Sequence, residues 1–192
     1  MQHLSNDDPE VARIIQREEA RMENTLDLIA AENHAPRSIL EAQGSIFSTK
    51  AAEGYPGRRF HAGCVNADDL ESLAILRAKQ LFGADHANLQ PHSGVSANLA
   101  VYFSVLDVGA RILSMKLSHG GHLSHGDPSS VTSSCLHFQH YGLDGQTERI
   151  DYEEVRKVAE DFKPHMIRAG ASSYPRLIDY QKMADAAQSV SA

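Results

Sequence analysis

From residue 68 onward, apolar residues follow two alternating patterns along the chain. Apolar positions at helical spacing predict helices over about 69–82, 95–106, 151–162 and 178–190. Short apolar runs between these helices predict strands near 87–89, 111–115, 136–140 and 166–171. Strands that alternate with helices are typical of an α/β layered domain with a largely parallel sheet.

The first 66 residues are organised differently. Asp8 followed by Pro9 is a typical helix start, and the apolar positions after it predict a helix to about Asn24. Pro36 begins a second, short helix that ends near Gly44. Residues 51–66 are rich in glycine and proline, which predicts a loop long enough to have a function. The chain is therefore predicted to divide into residues 1–66 and residues 67–192.

Composition and charge exclude several classes of function. The net charge is −7 and no basic stripe is present, which argues against nucleic acid as the main partner. The two cysteines, Cys64 and Cys135, are too far apart in sequence to indicate a disulfide framework or a zinc site. We expect no signal peptide and no membrane span, and hence a cytoplasmic protein.

Residues 116–126 carry three histidines and three glycines directly after a predicted strand. Such a turn at the end of a strand is where α/β proteins bind ligands. His119, His122 and His125 have three interpretations: a metal site, an imidazole stacked on a planar cofactor, or a structural turn with hydrogen-bonded rings. The metal interpretation is weak because no carboxylate or cysteine is close in sequence. We predict no metal site.

Two further motifs have both a functional and a structural interpretation. Ser93 and Gly94 begin a predicted helix after a predicted strand, which suits a phosphate, but Ser93 is also an ordinary helix N-cap residue. Glu53 lies in the glycine-rich loop, where a carboxylate is either a general acid/base or a solvated surface charge.

Six stretches, taken together and in this order, resemble the serine hydroxymethyltransferase family, whose members are fold-type I enzymes dependent on pyridoxal phosphate (PLP). They are residues 28–33 (LIAAEN), 41–45 (EAQGS), 52–59 (AEGYPGRR), 77–84 (RAKQLFGA), 90–94 (QPHSG) and 119–126 (HGGHLSHG). The resemblance implies a partial three-layer α/β sandwich of the fold-type I large domain, with an N-terminal helical arm. Residues 1–66 would be that arm with an interface loop, and residues 67–192 the first part of the PLP-binding domain.

The resemblance also implies roles for individual positions. Ser93 and Gly94 match the phosphate-binding turn, His122 the imidazole that stacks on the cofactor ring, and Ser172 a serine near its phenolic oxygen. Glu53 matches the glutamate that manages protons in the aldol step. The remaining assignments lie on the substrate and folate side of the site: Phe60, Leu117, Leu123 and His125.

The chain departs from the family pattern at four positions. Ala31 replaces a serine that helps to hold the substrate carboxylate, and Ala51 replaces a tyrosine that touches the phosphate across a dimer interface. His61 replaces a tyrosine at the reacting carbon, which makes it a candidate catalytic residue. Val95 replaces a serine of the phosphate turn. These changes favour an altered substrate, with tetrahydrofolate possible.

The family's PLP-bearing lysine, its aspartate for the pyridine nitrogen and its carboxylate-binding arginine have no match in these residues. We therefore expect the N-terminal part of an enzyme that acts on glycine, serine or a related β-hydroxy amino acid. A second polypeptide would supply the lysine, and two such pairs would associate. A non-catalytic binding or regulatory protein of the same fold is the alternative, and a truncated chain is a third interpretation.

Overall fold

The computed structural model describes residues 2–192 and divides the chain into two compact units, the first ending at His34 and the second beginning at Ala35. The first unit contains α1 (Gln2–Asp7) and α2 (Pro9–Asn24). Asp8 separates them, and its Oδ1 accepts the N–H of Val11 at 3.0 Å, as an N-cap residue does. The predicted limits of α2 are therefore confirmed. The predicted arm and large domain, divided at residue 66, stay a prediction.

The second unit begins with α3 (Arg37–Gln43) and a short 3₁₀ turn (Ile46–Thr49). The predicted loop over 51–66 is more ordered than expected. It contains an antiparallel hairpin of two short strands, β1 (Gly54–Tyr55) and β2 (Arg58–Arg59), in which Gly54 pairs with Arg59. The helix α4 (Val65–Phe82) begins four residues before the predicted start and ends immediately before Gly83, as predicted.

The rest of the second unit alternates helices and strands. In chain order the elements are α5 (Gly94–Val105), β3 (Arg111–Met115), α6 (Val131–Cys135), β4 (His137–Tyr141), α7 (Tyr152–Phe162), β5 (Met166–Ile167) and α8 (Tyr180–Ser189). The sheet order is β4–β3–β5, and both pairings of β3 are parallel. The prediction of an α/β domain with a parallel sheet is confirmed.

Two strand predictions need correction. Residues 87–89 form no strand, because Asn88 Oδ1 accepts the N–H of Gln90 at 3.0 Å, and the Gln90 side chain bonds Gly54 O and Glu71. Side chains thus satisfy local polar groups that a strand would pair with a neighbour. The strand predicted over 166–171 is reduced to β5, although the N–H of Arg168 still donates to Leu113 O at 2.8 Å.

The strand β3 separates two apolar layers. Ile112 packs with Tyr102 of α5 on one face, and Leu113 and Met115 pack against α7 and α8 on the other. Successive side chains of a strand point to opposite faces, so both faces of β3 are covered by helices. Four of its five residues are buried. The expected three-layer arrangement is therefore present.

The longest described helix, α4, leaves much of its apolar surface uncovered. It has 18 residues and none of them is buried. The exposed apolar side chains on it include Leu70, Leu73, Leu76, Leu81 and Phe82. Neither this helix nor any other in residues 2–192 is long and apolar enough to cross a membrane.

The buried position of β3 predicts how a core substitution affects stability. Leu113 is fully buried, so Leu113→Ala is expected to lower the free energy of unfolding by about 2–5 kcal/mol through lost contacts and a residual cavity. Leu177 is 96% exposed, and Leu177→Ala is the matched control, with an expected change within about 0.5 kcal/mol. Urea unfolding measures both. Equal effects of the two substitutions would contradict the assignment of Leu113 to the core.

Candidate functional site

A pocket of about 240 Å³ lies at the edge of the sheet where β3 and β5 end. The helix α5 precedes β3 in the chain, and its N-terminus lies at the same edge, since Gly94 lines the pocket. Three segments line it, from α5, from the chain after β3 and from the chain after β5: Gly94 and Asn98, His122 and His125, and Arg168 and Ser172. Ligands of α/β proteins bind at this edge of the sheet.

The chain after β3 consists of two 3₁₀ turns, Leu117–His119 and Leu123–His125, each followed by a glycine with positive φ. A Cβ on Gly126 (φ +102°) would lie 2.2 Å from Phe138 Cγ, and one on Gly120 (φ +107°) would lie 2.7 Å from the backbone nitrogen of Tyr174. Both positions therefore require glycine. The carbonyl oxygen of Gly120 accepts the N–H of Ser172 at 2.9 Å, which brings Ser172 to the pocket.

His122 is half-buried in the wall of the pocket. Its Nδ1 accepts the backbone N–H of Ser124 at 3.1 Å and lies 2.8 Å from Ser124 Oγ. Its ring centre is 5.5 Å from that of His125, and the two planes are inclined by 55°. Its ring therefore has a defined orientation in the pocket.

His125 lies deeper in the pocket and is 3% exposed. Its Nδ1 is 3.2 Å from the backbone N–H of His122 and 3.1 Å from Nη1 of Arg168. A guanidinium can only donate, so this Nδ1 accepts both bonds and carries no proton. Burial, with the nearby Arg168 cation as a second cause, lowers the pKa of His125 to about 3. His125 is a neutral ring at neutral pH.

The N-terminus of α5 is capped by its own serines. Ser93 Oγ accepts the N–H of Ser96 at 3.2 Å, and Ser96 Oγ accepts the N–H of Ser93 at 2.9 Å. The interpretation of Ser93 as an N-cap is thus confirmed. A Cβ on Gly94 would meet nothing within 4 Å, so space is open beside the first turn of the helix. The phosphate interpretation of Ser93 and Gly94 stays a prediction.

Glu53, Phe60 and His61 come together on the hairpin β1–β2, and none of them lines the pocket. Glu53 Oε2 is 3.5 Å from His61 Nε2, and both side chains are exposed. The N–H of Phe60 donates to Glu53 O at 3.0 Å, and the Phe60 side chain is 79% exposed. An exposed carboxylate beside an imidazole can exchange a proton with a ligand and with its neighbour.

Arg59 holds this hairpin against α4. Its side chain is 4% exposed and bonds Asp68 Oδ1 at 2.7 Å and Glu71 Oε2 at 2.6 Å. Its Nη1 also donates to the carbonyl oxygens of Ala52 and Gly54. Because Ala52 and Gly54 flank Glu53 in the chain, Arg59 fixes the backbone that carries this carboxylate.

Leu117 and Leu123 lie on the glycine-rich segment but are not part of the pocket lining. They are 42% and 48% exposed. Their assignment to a folate pocket stays a prediction.

The three histidines of the segment each accept a backbone N–H at Nδ1. The donors to His119, His122 and His125 are Leu143, Ser124 and His122. Within residues 2–192, no three His, Cys, Asp or Glu side chains form a group that could hold a metal ion. This hydrogen bonding matches the interpretation as a structural turn, and it leaves ring stacking by His122 open.

Sequence reasoning missed three residues that organise the pocket: Asn98, Ser124 and Arg168. Arg168 lies within the strand predicted over 166–171, and a cation directly after the apolar pair Met166–Ile167 is a signal that the strand ends there. Asn98 is the only amide on the apolar helix α5, which was a second signal. Ser124 had no signal beyond its place among the histidines.

Comparisons with known proteins agree with the resemblance in the sequence. A model of the serine hydroxymethyltransferase family matches residues 4–192. The chain is 51% identical over 191 residues to a serine hydroxymethyltransferase of Halorubrum lacusprofundi and 54% identical over 190 residues to one of Coprothermobacter proteolyticus. These alignments cover 100% and 99% of this chain and 46% of each relative. The chain thus spans about half the length of the relatives it matches.

The pKa of His125 predicts a pH dependence of stability. The ordinary value is 6.5, so between about pH 6.5 and pH 3 the unfolded chain binds a proton here and the folded chain does not. The free energy of unfolding is therefore expected to fall as the pH is lowered through this window, by up to about 1.4 kcal/mol per pH unit. Above this window His125 contributes no slope.

Urea unfolding across this pH window tests the assignment. His125→Asn keeps an acceptor and removes the titration, so its pH slope should be smaller than that of the original protein. Gln139→Asn, at an exposed position of β4 without a titrating group, is the control and should keep the original slope. A slope that His125→Asn leaves unchanged would show that His125 binds its proton as readily in the folded protein as in the unfolded chain.

The hydrogen bonds of Arg59 predict how a substitution at this position affects the stability of the hairpin. Arg59→Met removes the cation that Asp68 and Glu71 share, together with its bonds to the carbonyl oxygens of Ala52 and Gly54, so the segment 51–63 is expected to open more often. Chymotrypsin cleavage after the exposed Phe60 should become several-fold faster. Arg58→Met, at the exposed neighbour, should cleave at the original rate. Equal rates in the two variants would argue against the anchoring role.

Proposed function

Because the chain belongs to the serine hydroxymethyltransferase family, we propose that it forms one wall of a PLP site in an enzyme that acts at the α-carbon of glycine, serine or a related β-hydroxy amino acid. The reaction is a hydroxymethyl transfer or a related aldol or transaldol cleavage. One observation carries the proposal: a single pocket brings together the N-terminus of α5, the His122 ring and Ser172. PLP is a planar ring with an anionic phosphate and a phenolic oxygen, and these groups match it.

The N-terminus of α5 is the group proposed to bind the phosphate. The first N–H groups of a helix are free of intrahelical partners and carry a partial positive charge, which favours an anion. The open space beside Gly94 supports this assignment because backbone donors are accessible there. Ser93 adds a hydroxyl, although its present partners are in the helix cap.

The His122 ring is the group proposed to cover the face of the cofactor, with Ser172 near the phenolic oxygen. The bonds from Ser124 to His122 Nδ1 support this assignment, since a fixed ring stacks at a low entropic cost. When it is bound, PLP withdraws electrons from the bonds at the α-carbon of an amino acid. The chain's own contribution is to bind and orient.

The pair of Glu53 and His61 is proposed to manage the proton of the substrate hydroxyl. Their separation of 3.5 Å allows a proton on His61 Nε2 to be shared with Glu53 Oε2 when the hairpin contacts a substrate. Phe60, exposed beside them, is proposed to contact the substrate or a tetrahydrofolate ring. Leu117, Leu123 and His125 are proposed to line the same region from the glycine-rich segment.

The lysine that binds PLP covalently is proposed to come from polypeptide outside these 192 residues, as a second chain or as a continuation of this one. None of the six lysines of the sequence lines the described pocket. Two such assemblies are proposed to pair. The exposed apolar residues of α4 support pairing, because they offer a surface that another subunit can cover.

A non-catalytic binding protein of the same fold is the second candidate. The residues Ala31, Ala51 and Val95, where the family has polar groups, favour it. The retained pocket and the Glu53–His61 pair argue against it. The two candidates differ in one measurable property, which is bond cleavage at the α-carbon after PLP has bound.

A chimera tests the proposal directly. The chain would replace the matching 190-residue segment of the Coprothermobacter proteolyticus relative, which retains its own C-terminal remainder. The expected result is a folded protein that keeps PLP through dialysis and cleaves serine or another β-hydroxy amino acid. PLP binding without cleavage of any such substrate would favour the second candidate. A folded chimera that binds no PLP would overturn the proposal and favour a non-catalytic protein, and co-expression of the two parts would repeat the test on separate chains.

His122→Ala in this chimera has a defined expected effect. Loss of the stacking ring should weaken PLP binding by roughly two- to twelvefold, because an aromatic pair contributes about 0.5–1.5 kcal/mol. His137→Ala, on the exposed side of β4, should bind PLP like the parent chimera. Titration of the PLP absorbance measures both affinities. An unchanged affinity in His122→Ala would remove this ring from the proposed site.

A further inference from the structure

Arg168 is a cation in the pocket wall that makes no ion pair with a carboxylate within residues 2–192. It directly follows β5, and its backbone N–H continues the bonding to β3. Burial lowers the pKa of its guanidinium. A partly buried cation needs polar partners, and its side chain finds them on Asn98 and His125. The guanidinium thus faces neutral groups, with the Tyr102 and Tyr141 side chains also close enough to interact with its charge.

The guanidinium fixes the orientation of the Asn98 amide. Arg168 Nη2 is 3.0 Å from Asn98 Oδ1, and because a guanidinium only donates, the oxygen of this amide must face it. The amide nitrogen therefore points the other way, where Asn98 Nδ2 donates to Ser124 Oγ at 2.7 Å. The O and N positions of Asn98 follow from the donor on one side and the acceptor on the other.

Ser124 passes this orientation on to His122. Its hydroxyl oxygen accepts from Asn98, so its proton is free to point at His122 Nδ1, 2.8 Å away. The backbone N–H of Ser124 donates to the same nitrogen. With two donors at Nδ1, a neutral His122 must carry its proton on Nε2.

We propose that Arg168 is a positioning residue that sets the tautomer and orientation of the His122 ring through Asn98 and Ser124. Three hydrogen bonds run in one direction, from the guanidinium to the imidazole, and each bond polarises the next. Ser124 links the second of these bonds to the third, and it is fully buried. The inference rests on the proposed function only in giving His122 a cofactor to meet.

The backbone of His122 is tied to the same cation by a second route. Arg168 Nη1 and the N–H of His122 both donate to His125 Nδ1. The neutral His125 ring thus links the guanidinium to the main chain of His122, while Asn98 and Ser124 link it to the side chain. Arg168 is joined to both ends of the residue that it positions.

The test reads the tautomer of His122 by ¹⁵N NMR of the histidine rings in the intact protein, without PLP. In the original protein the Nε2–H tautomer is expected to dominate. Arg168→Met keeps the length and removes the donor, so the ratio of Nε2–H to Nδ1–H tautomer should fall by about fivefold, the equivalent of one net hydrogen bond. Arg176→Met removes an arginine further along the same loop, 3.8 Å from the exposed Glu148, and should change nothing at His122.

Asn98→Asp breaks the same series of bonds while Arg168 is present. It therefore keeps the test informative if Arg168→Met does not fold. A carboxylate still accepts from Arg168 but cannot donate to Ser124, so the Ser124 hydroxyl turns towards it and away from His122. The tautomer ratio should fall as in Arg168→Met although Arg168 is present. Arg168→Lys should restore part of the ratio, because an ammonium can still donate to Asn98.

The outcomes separate this inference from the proposed function. A His122 tautomer that Arg168→Met and Asn98→Asp leave unchanged would show that the Ser124 backbone alone fixes the ring, and would overturn the inference. A changed tautomer with unchanged PLP affinity in the chimera would support the positioning role and count against His122 as the cofactor's partner. A changed tautomer together with weaker PLP binding supports both.

Discussion

The buried strand β3 is the constraint on which the second unit depends. Its alternating side chains contact α5 on one face and α7 and α8 on the other, and its backbone pairs with a parallel strand on each side. Because these strands are parallel, the carboxyl end of β3 lies at the same edge of the sheet as those of its neighbours. The chain that leaves β3 therefore meets the chain that leaves β5, and the pocket is a consequence of how the core packs.

Within this pocket, charge and hydrogen bonding, more than volume, determine the orientation and protonation of the side chains. Arg168 brings a cation to a place where His125 is kept neutral and where His122 receives its bonds at Nδ1. Asn98 and Ser124 connect Arg168 to His122 by hydrogen bonds. The charge that follows β5 thereby orients the imidazole ring in the chain after β3. Polar groups at the end of the core thus form a connected set, in which each donor has one acceptor.

The residues assigned to proton transfer lie on a separate element. Glu53 and His61 are carried by the hairpin, whose backbone Arg59 ties to α4. They are exposed and do not line the pocket at the sheet edge. By the resemblance in the sequence, two departures of this chain from the family pattern, Ala51 and His61, flank the hairpin, whereas the pocket residues His122 and Ser172 match that pattern. These two positions therefore lie near Glu53 in the chain and outside the pocket lining.

The sequence alone determined the α/β class, the limits of α2 and β3, and the family, because these depend on local spacing and on motifs in order. It predicted a strand at 87–89 and a plain loop at 51–66, where long-range side-chain bonds from Gln90 and Arg59 decided otherwise. Only the tertiary structure revealed Arg168 beside Asn98, 70 residues apart, and the neutral state of His125. Such features follow from burial and from which strand ends are neighbours, and no local pattern of residues encodes either.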